Sequence, residues 1–161
     1  MYNLEKTIEF EVKKYLYLEC NTENIGINLI GKKETNTAKI KVKILLSKKD
    51  INENLIITDF DKEENRLYVD FTKFEGKDNI LKADITIEVP LECRSKIKSE
   101  NGKVSLSNLI GEQSIISENG PVKAENIEGN INIKTENSMI KISSVIGNIT
   151  CETENSMIKI S

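Results

Sequence analysis

The chain has 161 residues, 38% hydrophobic and 30% charged, with a formal net charge of −3. That balance suits a folded soluble protein and lacks the basic excess that nucleic-acid binding requires. Histidine is absent, which removes the commonest general base and the commonest metal ligand together.

The first residues, "MYNLEKTIEFEVKKY", alternate apolar and charged side chains and contain no apolar core of a signal peptide. No stretch approaches the roughly 20 apolar residues that span a bilayer, so direct membrane insertion by this segment is not expected. As written, the chain reads as cytoplasmic, or as a segment of something longer that carries its own targeting. Up to about residue 80 it alternates with no fixed period. Strands are expected over Ile8 to Lys13, Tyr15 to Cys20, Ile25 to Leu29, Ala38 to Leu46, Leu55 to Phe60, Arg66 to Phe71 and Ala83 to Val89. Some of these early pairings should be antiparallel, because "DKEENR" reads as a hairpin connection. The segment "TENIGINLIG", Thr22 to Gly31, is a worn copy of a motif that recurs later. The run "ADITIEVPLECRSKIK" keeps one apolar parity through Ile85, Ile87, Val89, Leu91, Cys93 and Ile97, and reads as an irregular first coil. Pro90 within it cannot donate to a ladder and marks a bend or a strand end. No helix longer than a turn is expected.

From Ser99 the sequence becomes periodic. Units begin at Ser99, Ser117, Thr135 and Thr153, each 18 residues after the last, and "TENSMIKIS" occurs twice without a change. A fixed period near 20 residues means stacked units, none able to bury its own core. Within a unit the apolar period is two, as in Val104 and Leu106, Val122 and Ala124, or Ile140 and Ile142. The expected architecture is all-β: a parallel β-solenoid of 18-residue, two-strand coils over 81–161, preceded by irregular strands over 1–80, in a single domain over 1–161.

Stacking brings equivalent residues about 4.8 Å apart. Asn101, Asn119, Asn137 and Asn155 should form a hydrogen-bonded ladder at one turn, with Asn137 and Asn155 taking a left-handed backbone where serine replaces the following glycine. Gly111, Gly129 and Gly147 at the other turn should have positive φ or let the backbone approach closely. Glu100, Glu118, Glu136 and Glu154 stack like charges and therefore need solvent. Lys123, Lys141 and Lys159 form a second column, facing outward.

Cys20, Cys93 and Cys151 share the parity of the apolar residues and read as buried thiols. No CxxC pair, phosphate loop or calcium-binding nonapeptide is present, so no catalytic, cofactor or metal residues are assigned.

The repeats "SENGKVSLSNLIG" and "SENGPVKAENIEG", with the earlier "YLYLECNTENIGINLIG", resemble the bacterial putative-adhesin domain family. The resemblance implies a β-solenoid in proteins of the cell envelope, some of them tied to envelope stress, with no catalytic residues to carry over. The function expected is a non-enzymatic scaffold or adhesin-like interaction module. The alternative is a β-helix that binds or cleaves polysaccharide, although from Ser99 onward there is no Asp, Arg or His. At the C-terminal edge of the repeats the expectation is that the natural protein continues past Ser161, or that this edge pairs with a partner or a second copy.

Overall fold

A computed structural model describes residues 1–49, 56–75 and 79–161. The fold is all-β, with two mixed, mostly parallel sheets and no closed barrel. Alternation sets the elements: along most central strands every second side chain is buried, and the buried set is rich in Ile, Val and Leu. The inward faces of both sheets meet in one hydrophobic cluster, in which Phe71, Phe74, Leu16, Leu18 and Leu29 are among the most enclosed.

The first strand is β1 (Tyr2–Glu11), longer at its start than the alternation suggests. Then come β2 (Leu16–Asn21), β3 (Gly26–Lys32) and β4 (Thr37–Leu46). A hairpin of β5 (Ile57–Asp61) and β6 (Arg66–Asp70) follows, paired antiparallel across the expected "DKEENR" connection. Leu55, the expected start of that hairpin, lies outside the described residues. One helical turn, α1 (Thr72–Glu75), precedes β7 (Ile80–Pro90), which ends at the proline. The rest of the chain alternates between the two sheets. Its strands are β8 (Cys93–Ser99), β9 (Val104–Ile110), β10 (Gln113–Ser117), β11 (Val122–Glu128), β12 (Ile131–Thr135), β13 (Ile140–Ile146), β14 (Ile149–Thr153) and β15 (Ile158–Ile160).

Among the described residues one sheet runs β1-β4-β7-β3-β9-β11-β13-β15, and the other β14-β12-β10-β8-β2-β6-β5. From β8 onward each strand pairs in parallel with the strand two places later, and partners are 18 residues apart: Ile97 with Ile115, Ile115 with Ile133, Val104 with Val122, Val122 with Ile140. The worn copy takes its place in this series. β2 pairs with β8 and β3 with β9, so Leu16 lies beside Cys93 and Ile27 beside Val104.

The run read as an irregular first coil is divided. β7 lies beside β3 and β4, whereas β8 lies beside β2 and β10. The chain leaves the stack after β3, forms strands that continue it on the far side of β2 and β3, and returns at β8. A shared parity could not reveal this, because the inward face is the same in both sheets.

Strand order at the non-repeating end follows charge. The outward residues of β4 are Lys39, Lys41 and Lys43. Opposite them β1 offers Glu9, Thr7 and Glu5, and β7 offers Glu88, Thr86 and Asp84. Lys41 Nζ lies 2.9 Å from Glu88, and Lys32 reaches the same carboxylate at 3.7 Å. Together these lysines hold the Glu88 carboxyl below its usual range, led by the Lys41 hydrogen bond, against the opposing effect of partial burial. The rings of Phe10 on β1 and Phe60 on β5 lie 5.7 Å apart between the two sheets.

Candidate functional site

The corners carry the repeated polar residues. Asn101 Nδ2 donates to Asn24 Oδ1 (2.8 Å), Asn119 to Asn101 (2.9 Å), Asn137 to Asn119 (2.8 Å) and Asn155 to Asn137 (2.7 Å). The ladder thus reaches one level further than the strict repeats, into the worn copy. Inside it runs a row of hydroxyls whose role the sequence reading missed. Thr22, Ser99, Ser117 and Thr135 are all buried, and each donates to the carbonyl three residues on: Ile25, Gly102, Gly120 and Ser138. The signal was present as the Ser or Thr that begins each unit. Each hydroxyl closes its own turn with a side-chain hydrogen bond to the backbone.

The backbone at this corner differs from expectation. Asn137 and Asn155 are not left-handed. From Ser99 onward the non-glycine residues with positive φ are Asn108 (58°), Asn126 (54°) and Ser144 (55°), each inside a strand of the eight-stranded sheet. Pairing continues on both sides of each, from Glu125 beside Ser107 to Ile127 beside Leu109. The left-handed residue turns the strand so that Leu109, Ile127 and Val145 face inward. Asn at two of these places fits, because its short amide tolerates this conformation. At the next turn Gly111, Gly129 and Gly147 have φ of 140°, 141° and 145°. A Cβ on Gly129 would overlap the carbonyl of Gly111 in the neighbouring level. Both reasons for glycine apply there.

The charged columns are solvated: Glu100, Glu118, Glu136 and Glu154 are all exposed, as are Lys123, Lys141 and Lys159. Lys123 approaches Glu125 at 4.0 Å. Cys20 and Cys93 are buried, and burial pushes the Cys93 thiol up to about 12. Cys151 departs from the expectation of three buried thiols. It is only half-buried, because β14 is the outermost strand of its sheet. Among the described residues no three His, Cys, Asp or Glu side chains gather as a metal site would need, and no helix is long and apolar enough to cross a membrane.

Sequence reasoning also missed one cluster on the outward face of the seven-stranded sheet. The only two arginines of the chain lie on the strands flanking β2 and are in register with Tyr17. The Arg66 guanidinium carbon is 5.3 Å from the ring centre and that of Arg94 is 4.9 Å. Arg66 also pairs with Glu19 at 2.5 Å. Beside it, Tyr68 donates to Asp70 (2.8 Å), which raises the phenol's affinity for its proton. Burial works to raise the Asp70 carboxyl, but hydrogen bonds from Thr72 and Tyr68 outweigh it and hold the group below its usual range.

With this geometry in view, a likeness to solved structures can be placed. The chain shares its fold with a bacterial protein described as a cell adhesion protein. That protein is from Clostridium sporogenes; the TM-score is 0.74 at 11% identity, over 99% of each chain. Two proteins described as adhesins also align. One, from Bacteroides fragilis, has a TM-score of 0.36 at 14% identity, over 98% of this chain and 97% of that one. The other, from Parabacteroides merdae, has a TM-score of 0.32 at 11% identity, over 98% and 96%. No family model and no curated protein matches the sequence. The Clostridium structure carries a cell-adhesion name, in line with the resemblance of the repeats, and at 11% identity the likeness is one of fold.

Proposed function

We propose that the chain is a β-solenoid scaffold serving as a non-enzymatic, adhesin-like interaction module linked to the bacterial cell envelope. The observation that carries this reading is the constant 18-residue register of both sheets from β8 to β15. Such a register devotes the interior to stacking and leaves the outward faces as long regular surfaces. The recurring carboxylates Glu100, Glu118, Glu136 and Glu154 stand in exposed single file. Glycoside cleavage instead needs two carboxylates facing each other across a sugar. A protein partner or a second copy engages the edge strands at the β14 and β15 end.

The test is adhesion. The purified chain should bind isolated bacterial envelopes saturably and leave their polysaccharide uncut. Release of reducing sugar ends, or no adhesion beyond that of an unrelated acidic β-protein, would overturn the reading.

A further inference from the structure

The arginine and tyrosine cluster belongs to a larger strip that the stacking interior does not require. Arg94, Lys96 and Lys98 alternate along β8 and are all exposed. Alternate residues on a strand stand about 6.6 Å apart, so three cations run along β8, the middle strand of the seven-stranded sheet. Among the described residues no carboxylate pairs with any of the three. Glu19, which lies opposite Lys96 on β2, is held by Arg66. Asn21 lies opposite Lys98, and Tyr17 lies opposite Arg94. On the other side of Lys96, in register across β10, β12 and β14, come Ser114, Asn132 and Thr150. These form a shelf of small hydrogen-bonding side chains about 4.8 Å apart.

We propose that this face is a docking strip for an acidic polysaccharide, a claim that rests on the interaction-module reading. Arg94, Lys96 and Lys98 meet the polymer's carboxylate or sulfate groups, and Ser114, Asn132 and Thr150 meet its hydroxyls. Tyr17 fixes the Arg94 guanidinium by stacking, so less freedom is lost when the arginine engages an anion. Arg66 and Arg94 both lie over the Tyr17 ring and compete with a nucleic-acid base for it. The lysine column of the other sheet also runs into small polar residues, Ser105, Asn28 and Thr86, but it holds no arginine stacked on an aromatic ring, and Glu125 stands beside its first member.

The test uses the whole chain against immobilised polygalacturonate, heparin, neutral dextran and polyadenylate at low salt. Binding to one or both acidic polysaccharides, and not to dextran, is expected. The pair separates carboxylate from sulfate recognition. Replacing Arg94, Lys96 and Lys98 by serine should weaken binding about tenfold or more. The same change at Lys123, Lys141 and Lys159 removes equal charge and should alter it less than about twofold. Lys96→Gln alone leaves the stacked arginines in place and should weaken binding about twofold to threefold, which guards against misfolding of the triple variant. Equal losses from the two triple variants, equal binding to dextran, tighter binding to polyadenylate, or no binding at all would overturn the strip. Envelope adhesion that survives loss of the strip would also overturn it while leaving the interaction module standing. Binding to an acidic polysaccharide without envelope adhesion would uphold the strip and count against the envelope link.

Discussion

At the scale of the residue, stacking decides what each side chain contributes. Asn119 both donates to Asn101 and accepts from Asn137. Asn119→Ala should therefore cost about 1–2 kcal/mol, since it removes two hydrogen bonds and leaves two neighbours short of a partner. Glu118→Ala relieves an exposed like-charge column and should be neutral or slightly stabilising. Chemical denaturation of the two variants checks the order. The ladder was legible in the sequence because an exact period says which residues meet. The hydroxyl row was not, because Ser and Thr also suit exposed turns, and burial is settled only by the neighbouring level. The thiols divide by depth. Ellman's reagent without denaturant should label Cys151 alone, slowly because burial raises its pKa, and Cys151→Ser should abolish the reaction. Labelling of Cys20 or Cys93 in the native state would contradict their enclosure.

At the scale of the element, two devices set strand shape and strand order. The left-handed residue inside β9, β11 and β13 is Asn twice and then Ser. Serine lacks the amide that eases this conformation, so Ser144→Gly should stabilise by about 0.5–1 kcal/mol. A lower melting temperature for that variant would show that the turn has another requirement. Sequence alone placed the left-handed residues at the wrong corner. Asn-Gly is the stronger turn signal, whereas the shift of apolar parity at Asn108 and Asn126, from Leu106 to Leu109 and from Ala124 to Ile127, falls within one unbroken strand. The second device is the charge matching of β4 with β1 and β7. Because the Glu88 carboxyl is depressed in the folded state, its contribution is complete above the usual carboxylate range. It is lost as pH falls through the folded value. Glu88→Gln should therefore lower stability at neutral pH, with the deficit narrowing in acid. A deficit that is constant with pH, measured by denaturant titration at several pH values, would remove Glu88 from the acid response.

At the scale of the whole molecule, the periodic half was readable because one pattern fixes register, direction and inward face together. The interleaving of β4 to β7 was not. It depends on which strand lies beside which, and strands of equal parity and similar apolar content fit several neighbours. The two ends of the stack also differ. At one end β1 alternates charge with apolar side chains, and Phe10 packs against Phe60 beneath it. At the other, β15 leaves Ile158 37% and Ile160 57% exposed, beside an edge that pairs with no strand among the described residues. The identical copies at Thr135–Ser143 and Thr153–Ser161 mean that β15 presents outward the same side chains that β13 presents to it. A strand like itself therefore fits that edge, and a second copy of the chain carries one. The apparent mass of the 161-residue chain, measured by light scattering, should accordingly rise with concentration. Replacing Ile158 and Ile160 by lysine should hold it monomeric, at little cost to stability because both side chains are exposed. A mass that stays monomeric at every concentration, or one that rises equally in the lysine variant, would mean that the β15 edge does not pair with a second copy.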